Sequence, residues 1–275
     1  MDQRSVLITG CSSGIGRHAA RGLKARGYRV FATARKHADV EDLISEGLDS
    51  VQLDIANSAS IHNAFESILQ KTDGKLYALF NNAAFGLSGA VEDLSRDALR
   101  DIFEVNLFGT HELTRLVIPV MRQQGCGRII QNSSVLGFVA LKFRGAYNAT
   151  KFALEGLSDT LRMELEGTNI FVSLIEPGPI ESNFRKNAYA AYKRYIDENN
   201  SVYKEIYQQT EDRLLTEGPA VPFTLRPEAV LKKVIHALES KRPRIRYYVT
   251  FPTYLFGYLK RLLPDRVMDK ILTRI

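Results

Sequence analysis

The chain alternates short aliphatic runs with longer amphipathic stretches, and this alternation limits its possible folds more than any other feature. A run of Val, Ile, Leu and Ala suits a strand covered on both faces, and an amphipathic stretch suits a helix that crosses back over the sheet. The strand candidates are Ser5–Ile8, Arg29–Ala34, Ser50–Asp54, Ala78–Asn81, Gly127–Asn132, Ile170–Ile175 and, with a weaker pattern, Arg246–Thr250. The alternation predicts an α/β fold, a doubly wound parallel sheet with helices on both faces.

Helical periodicity occupies the stretches between these runs. The helix candidates are Ile15–Arg26, Ser58–Lys71, Arg96–Gln124, Tyr147–Glu166 and Pro227–Ser240, of which the third is long enough for two helices. Pro227 suits the first turn of the last of these helices, and Gly167 can end the helix Tyr147–Glu166. The 275 residues contain no internal repeat, low-complexity segment or linker. We therefore expect one domain over residues 1–275.

One segment, residues 181–225, interrupts the alternation and has no clear strand pattern. It carries aromatic residues among polar ones, namely Phe184, Tyr189, Tyr192, Tyr195, Tyr203 and Tyr207. Long insertions in compact domains are often lids or binding loops. A pair of surface helices that bury their aromatic residues explains the same pattern, and the two interpretations are compatible.

The C-terminal extension, residues 241–275, mixes aromatic and aliphatic residues with basic ones, and its last part includes Lys260, Arg261, Arg266 and Lys270. A basic, partly amphipathic helix can lie on an anionic membrane surface. It can also pack over a substrate pocket or against a partner subunit. Simple packing on the domain is the interpretation we favour, and membrane contact is a hypothesis.

Composition argues against several other classes of protein. The formal net charge is +6, but most Lys and Arg residues are interspersed with acidic ones along helical stretches, so we expect no nucleic-acid partner. The two cysteines and five histidines lack the spacing of metal ligands, so we expect no metal and a reduced, cytoplasmic protein. A strand candidate begins almost at the first residue, which leaves no room for a signal peptide. No apolar stretch approaches the ~20 residues that span a bilayer.

A glycine-rich loop follows the first strand candidate and opens the first helix. It reads Thr9-Gly10-Cys11-Ser12-Ser13-Gly14-Ile15-Gly16. Glycine lets the backbone turn sharply and approach a pyrophosphate, whose charge meets the free N–H groups of the helix N-terminus. The position of the loop within a strand–helix–strand unit predicts a dinucleotide site. Its first gap is wider than in the common Gly-x-Gly-x-x-Gly spacing.

The end of the second strand candidate indicates which dinucleotide binds. A site selective for NAD usually carries Asp or Glu there, to accept hydrogen bonds from the ribose 2′-hydroxyl. This chain has Ala34 followed by Arg35. A guanidinium suits a 2′-phosphate because it donates in a planar fork and keeps its charge. The sequence therefore favours NADP(H), although Arg35 and Lys36 could also simply begin a surface loop.

Tyr147 and Lys151 are four residues apart at the start of a helix candidate, so they share one face. A phenol has a pKa of about 10, and a neighbouring ammonium can lower that pKa by roughly 1–3 units. The pair therefore suits a general acid/base. The spacing is common by chance, but Ser134 ends the strand candidate just upstream, where ligands bind in open parallel sheets.

Further motifs accompany these residues in a fixed order. The full series is Thr9-Gly10-x-x-x-Gly14-Ile15-Gly16, Asp54, Asn81-Asn82-Ala83-Ala84, Asn106, Ser134, Tyr147-x-x-x-Lys151 and Pro177-Gly178-Pro179-Ile180. In this order and spacing, the chain resembles the short-chain dehydrogenase/reductase family over about residues 4–180, and more loosely beyond. The resemblance implies a single-domain, Rossmann-like fold. Ala84 departs from the family pattern, which usually has Gly there, and its methyl group would lie beside the cofactor.

The resemblance also implies roles for the catalytic residues. Tyr147 would protonate the carbonyl oxygen as hydride arrives, or deprotonate the alcohol in reverse. Ser134 would hydrogen-bond the same oxygen. Lys151 would hold the nicotinamide ribose and lower the tyrosine pKa, and Asn106 would support a water relay to the lysine.

The remaining motif residues would bind the cofactor. Asp54 and the adjacent Ile55 would lie at the adenosine end, and Asn82 with Ala83 would line the cofactor trough. Pro177, Gly178 and Ile180 would close over the nicotinamide. Gly10, Ser12, Ser13, Gly14, Ile15 and Gly16 would cradle the pyrophosphate.

Within the family, the segments Cys11–Gly16, Lys151–Leu157 and Ser173–Ile180 look most similar to the branch of 17β-hydroxysteroid and retinol dehydrogenases. Leu262–Asp269 resembles bacterial aldehyde reductases. We therefore predict an NADP(H)-dependent oxidoreductase that interconverts a small hydrophobic aldehyde or ketone and its alcohol. The resemblance also implies a homodimer or homotetramer built through the long helices.

Two alternatives remain open. One is a non-catalytic NADP(H)-binding regulatory protein, although such proteins commonly lose the tyrosine or the lysine. The other is a steroid or retinoid alcohol dehydrogenase that works in the oxidative direction.

Overall fold

Seven parallel strands form one sheet in the computed structural model, which describes residues 3–275. The strands are β1 (Ser5–Ile8), β2 (Arg29–Ala34), β3 (Asp49–Gln52), β4 (Ala78–Asn81), β5 (Gly127–Asn132), β6 (Ile170–Glu176) and β7 (Arg246–Tyr248). They lie in the order β3-β2-β1-β4-β5-β6-β7, and each neighbouring pair is parallel. The order reverses between β1 and β4, and a crevice for ligands forms at such a reversal, beyond the carboxyl ends of the strands.

Helices cover both faces of the sheet, which confirms the predicted doubly wound fold. They are α1 (Gly14–Ala25), α2 (His37–Ser45), α3 (Ser58–Lys71), α4 (Arg96–Phe103), α5 (Thr110–Gln124), α6 (Gly145–Glu164), α7 (Phe184–Tyr195), α8 (Lys204–Leu215), α9 (Glu228–Glu239), α10 (Phe251–Leu262) and α11 (Asp265–Leu272). The sequence pattern missed α2, which buries only Val40 and Leu43. The predicted long helix Arg96–Gln124 is α4 and α5 joined by a π-helical segment, Glu104–Gly109.

The core has one layer on each side of the sheet. On one side, α1, α2 and α9 pack against the strands through residues such as Ala20, Leu43 and Val234. On the other side, α3, α5 and the end of α6 contribute residues such as Ile61 and Val117. All five of these residues are at most 1% exposed, so the sheet is covered on both faces, as parallel sheets require.

The segment 181–225 folds mainly into α7 and α8, which lie over a third, smaller hydrophobic cluster. Tyr192 and Tyr207 are fully buried in it, which supports the interpretation as surface helices that bury their aromatic residues. The phenols of this segment also donate to carboxylates, in the pairs Tyr189–Glu211, Tyr192–Glu198, Tyr195–Asp101 and Tyr207–Asp93.

The C-terminal extension continues past β7 into α10 and α11. α10 buries Thr253 and Gly257, whereas α11 buries Met268. Within residues 3–275, no helix has the length and apolar character needed to cross a membrane.

Candidate active site

The glycine loop connects β1 to α1, as predicted. Gly10 and Gly14 have positive φ angles of 70° and 55°, a conformation that favours glycine. A Cβ atom on Gly16 would lie 2.3 Å from the carbonyl oxygen of Gly10, so only glycine fits there. Ser13 is the N-cap of α1, and its side chain makes no capping hydrogen bond. Its hydroxyl and the first N–H groups of α1 therefore suit an anionic group.

Ser12 and Ile15, the other two residues of the loop predicted to bind the cofactor, make contacts that hold the loop in place. The carbonyl oxygen of Ser12 accepts a hydrogen bond of 3.2 Å from Nη1 of Arg17. Ile15 is partly buried and packs against the core on the α1 side of the sheet. The loop is thus anchored to the helix that it opens.

Thr9 and Asn82 fasten the glycine loop to the ends of β4 and β5. The Thr9 hydroxyl accepts hydrogen bonds of 2.9 Å from the backbone N–H groups of Asn82 and Ala83. The Asn82 amide donates to the carbonyl oxygens of Thr9 (2.9 Å) and Gly10 (3.1 Å), and its oxygen accepts from Asn132 (2.9 Å). Asn82 and Ala83 therefore fix the shape of the trough.

Arg35 and Asp54 follow neighbouring strands at the same edge of the sheet. Arg35 comes directly after β2 and is exposed. Asp54 accepts a hydrogen bond of 3.0 Å from the backbone N–H of Ala56 and lines an open cleft of about 450 Å³ with Gln52 and Asn57, among others. Ile55, by contrast, is buried.

Asn106 lies in the π-helical segment and is 1% exposed. Its side-chain oxygen accepts from the Phe85 N–H (3.0 Å), and its amide donates to the Phe85 carbonyl (2.9 Å) and to the Thr150 hydroxyl (3.2 Å). Asn106 thus ties the segment after β4 to α6, one residue before Lys151. The water relay remains a prediction.

Ser134, Tyr147 and Lys151 meet at the carboxyl end of β5. Ser134 follows that strand, and Tyr147 and Lys151 lie one turn apart in the first part of α6. The Lys151 ammonium donates to the carbonyl oxygen of Asn132 (2.7 Å) and lies 5.6 Å from the centre of the Tyr147 ring. The Ser134 hydroxyl accepts from the N–H of Leu136 (3.1 Å) and donates to the carbonyl oxygen of Pro177 (3.5 Å).

Burial controls the protonation of this group. It raises the pKa of Tyr147 to about 12, against the opposing effect of the hydrogen bond with Ser134. It also lowers the pKa of Lys151 to about 8, partly offset by the charge of Glu155. The expectation of a lowered tyrosine pKa was therefore wrong, because burial raises the pKa of the phenol by more than the hydrogen bond with Ser134 lowers it. The phenol keeps its proton at neutral pH.

The loop Pro177–Ile180 runs from the neighbourhood of Ser134 towards the glycine loop. The Pro177 carbonyl accepts from the N–H of Val135 (2.8 Å), and Ile180 pairs with Leu225. A Cβ atom on Gly178 would lie 2.2 Å from the Thr250 hydroxyl, so the loop is packed against the start of α10.

The segment after this loop covers both ends of the site. A Cβ atom on Gly14 would lie 2.8 Å from Cβ of Ser182. The Phe184 ring meets the Tyr147 ring edge to face, with centroids 5.4 Å apart. The chain that enters α7 therefore lies over the glycine loop and over Tyr147.

Behind α6, three carboxyl groups surround one guanidinium. Arg246 lies 3.2 Å from Glu176, 3.1 Å from Glu155 and 2.6 Å from Asp159. Glu176 is fully buried, and burial raises its pKa to about 9, with repulsion from the Glu155 carboxylate adding to the rise. Glu176 therefore holds its proton at neutral pH.

Substitution Glu176→Gln is expected to flatten the dependence of stability on pH. The unfolded chain releases this proton near the ordinary pKa of 4.5, whereas the folded protein keeps it up to about pH 9. Between these values the folded state binds more protons, so the free energy of unfolding of the wild type falls as pH rises. Glutamine keeps the shape of the side chain without the titration. Urea unfolding of both proteins at several pH values in this window measures the effect, and equal slopes in the two proteins contradict it.

Sequence reasoning did not assign roles to Thr9, Asn132 and Phe184. Thr9 and Asn132 are polar residues at the ends of buried strands, a signal that could have found them. No sequence signal distinguishes Phe184 from the other aromatic residues of its segment. Within residues 3–275, no group of three or more His, Cys, Asp or Glu side chains is arranged to hold a metal ion.

Comparison with known proteins identifies the family of the chain. Residues 4–193 match the family model for short chain dehydrogenases. The chain is 45% identical to the uncharacterized oxidoreductase YbbO of Escherichia coli K12, over 98% of this chain and 94% of that protein. It is 32% identical to human 17-beta-hydroxysteroid dehydrogenase type 1, over 91% of this chain and 78% of that protein.

A solved structure shares the fold over its whole length. A short-chain dehydrogenase from Streptomyces avermitilis superposes with a TM-score of 0.82 and 28% identity, over 100% of this chain and 98% of that one. The parallel sheet, the ordered motifs and these relatives lead to one conclusion. The chain belongs to the short-chain dehydrogenase family and is an oxidoreductase of that family.

Proposed function

We propose that this oxidoreductase uses NADP(H) to interconvert a hydrophobic aldehyde or ketone and the corresponding alcohol, with Tyr147 as the general acid/base. The observation that carries the proposal is the convergence of Ser134, Tyr147 and Lys151 beside the glycine loop. A proton donor, a hydrogen-bonding hydroxyl and an ammonium together suit the change of a carbonyl oxygen into a hydroxyl.

The residues around the crevice fit a phosphorylated nicotinamide dinucleotide. The uncapped N-terminus of α1 and the glycine loop would hold the pyrophosphate. Arg35 is exposed beside Asp54 at the adenosine edge and would bind the 2′-phosphate. Lys151 would hold the ribose of the nicotinamide. The bound nicotinamide supplies or accepts the hydride.

Two side chains act on the oxygen of the substrate. The Tyr147 hydroxyl donates its proton to the carbonyl oxygen during reduction, and its raised pKa means that this proton is present at neutral pH. The Ser134 hydroxyl donates to the same oxygen and fixes its position. The Lys151 ammonium, buried beside the tyrosine, stabilises the phenolate that is left.

The walls near Tyr147 support an apolar substrate. Phe184 contacts the catalytic ring directly. Phe85 and Phe143 belong to the hydrophobic cluster that also contains Tyr147. Apolar walls with few polar groups are typical of sites for apolar ligands.

The direct test is oxidation of NADPH and of NADH by the wild-type protein in the presence of aliphatic aldehydes, aromatic aldehydes, ketones and steroids. We expect consumption of NADPH with at least one apolar carbonyl compound. A complete lack of turnover with both cofactors across such a series contradicts the proposal and favours a binding role without catalysis.

Substitution Arg35→Asp is expected to reverse the cofactor preference. It removes a charged hydrogen-bonding partner of the 2′-phosphate and adds a repelling charge, so kcat/KM with NADPH should fall about 10–100-fold or more, from the ~1.5–3 kcal/mol of such a bond. The new carboxylate can accept from a ribose hydroxyl, so kcat/KM with NADH should hold or rise. Both values come from steady-state kinetics with one carbonyl substrate.

Lys36→Asp is the matched control, because it makes the same change of charge at the next exposed residue. It should leave the ratio of the two kcat/KM values close to that of the wild type. Retained NADPH preference in Arg35→Asp, or an equal effect of both substitutions, contradicts the role of Arg35.

A further inference from the structure

Helix α10 turns its apolar face outward. Phe251, Tyr254, Leu255, Tyr258 and Leu262 are 56%, 37%, 39%, 61% and 76% exposed. Their spacing of three, four and seven residues places them on one side of the helix.

The opposite side attaches the helix to the protein through small residues. Thr253 and Gly257 are the buried residues of α10. The approach is close, because a Cβ atom on Gly257 would lie 2.4 Å from the ring of Tyr248. A surface helix in water normally buries its apolar face, so this reversed arrangement calls for a partner that covers the stripe.

The apolar surface extends to the end of the segment 181–225. Phe223 is 58% exposed, and its ring centroid lies 5.0 Å from that of Phe251. Phe223 and the five exposed residues of α10 form one surface, here named the α10 patch. Contiguous exposed apolar patches of this kind mark interaction sites.

The C-terminal segment that contains α10 carries a positive net charge. Residues 251–275 contain five basic residues, Lys260, Arg261, Arg266, Lys270 and Arg274, against Asp265 and Asp269. All five basic side chains are exposed. Of these, Lys260 has an acidic neighbour within the segment, 3.7 Å away on Asp265. The segment that carries most of the patch is therefore positive overall.

This charge decides between two occupants. A second copy of the chain, related by two-fold symmetry, would bring the same positive residues against one another. The headgroups of anionic lipids complement them instead, at about 1 kcal/mol for each basic residue near the surface. Tyr and Phe also prefer the boundary between water and lipid.

We propose that the α10 patch docks this protein on the surface of an anionic lipid bilayer. The aromatic and aliphatic stripe enters the headgroup region, and the basic side chains of Arg261 and of α11 meet the lipid phosphates. At 12 residues, α10 is about 18 Å long and cannot cross a hydrocarbon core of about 30 Å, so it lies along the surface.

Sedimentation with vesicles tests the proposal on the full chain. We expect the wild-type protein to bind vesicles of phosphatidylcholine with phosphatidylglycerol, to bind vesicles of phosphatidylcholine alone much less, and to dissociate at high salt. Leu262→Glu should lower the partition coefficient at least about tenfold, because it removes one inserted side chain worth about 1.5–3 kcal/mol. The double substitution Arg266→Gln and Lys270→Gln should weaken binding to the anionic vesicles alone.

Ile44→Glu is the matched control. Ile44 is 53% exposed on α2, which packs beside β2 and β3 at the opposite edge of the sheet from β7. The Ile44→Glu protein should bind anionic vesicles as strongly as the wild type does. Far-UV circular dichroism checks that every variant is folded, and light scattering after gel filtration gives the oligomeric state. A wild type that does not bind anionic vesicles, equal binding by Leu262→Glu, or an oligomer that Leu262→Glu dissociates without any vesicle binding overturns the proposal.

Discussion

Substitution Tyr147→Phe is expected to lower kcat about 10²–10⁴-fold, the contribution typical of a positioned general acid. The change removes the hydroxyl and its proton but keeps the ring. The contacts of that ring with Phe184 and Lys151 therefore persist, and the trough for the cofactor keeps its shape. The affinity for NADPH, measured by its fluorescence in a binding titration, should stay close to that of the wild type.

Tyr189→Phe is the control for this loss. It removes a phenol hydroxyl from the same hydrophobic cluster, one that donates to Glu211 at 2.7 Å. Its kcat should remain near the wild-type value. Full activity of Tyr147→Phe, or an equal loss in Tyr189→Phe, contradicts the assignment of Tyr147 as proton donor.

Substitution Gly109→Ala is expected to lower the free energy of unfolding by about 3 kcal/mol, the upper part of the usual range for overpacking. Gly109 ends the π-helical segment, and a Cβ atom there would lie 1.7 Å from the backbone carbonyl oxygen of Ile55. A backbone atom cannot turn aside as a flexible side chain can, so the two elements must separate. Urea unfolding followed by circular dichroism measures the change.

Gly156→Ala makes the same change in α6, where a Cβ atom would meet nothing within 4 Å. Alanine costs less backbone entropy than glycine in a helix, so this variant should be more stable by about 0.5–1 kcal/mol. Opposite signs for the two substitutions are the expected result. A Gly109→Ala protein as stable as the wild type contradicts the close approach to Ile55.

The sequence alone predicted most of the sheet. The bounds of β1, β2, β4 and β5 agree with the expectation to the residue, because strands covered on both faces leave continuous apolar runs. The edge strand β3 was predicted slightly too late, since its residues are only partly buried and give no such run.

The positions of the candidate catalytic residues were predictable for a related reason. Ser134 lies just past the carboxyl end of a parallel strand, and Tyr147 and Lys151 lie at the start of the next long helix. The carboxyl ends of the strands and the starts of the following helices line one crevice, whatever the conformation of the loops between them. The protonation of Tyr147 was not predictable, because the desolvation that raises its pKa depends on residues that pack over it, including Phe184.

Contacts between segments that are far apart along the chain could not be predicted from the sequence either. Glu155 and Glu176 stand on α6 and β6, and nothing in their spacing shows that they share the guanidinium of Arg246. The π-helical turn at Glu104–Gly109 likewise leaves no periodic signal, since one turn of different pitch hardly alters the pattern of a long helix.

The phenol–carboxylate hydrogen bonds of α7 and α8 limit how far these helices can move when a ligand enters the cleft. Tyr195 and Tyr207 donate to Asp101 and Asp93, which lie outside the segment, and hydrogen bonds to charged acceptors are about twice as strong as neutral ones. To swing the two helices away would break these bonds and expose Tyr192 and Tyr207, both fully buried. Such an opening resembles unfolding of part of the core more than the motion of a loop. The wall above Tyr147 is therefore preorganised, and little ordering entropy remains to be lost when a ligand enters.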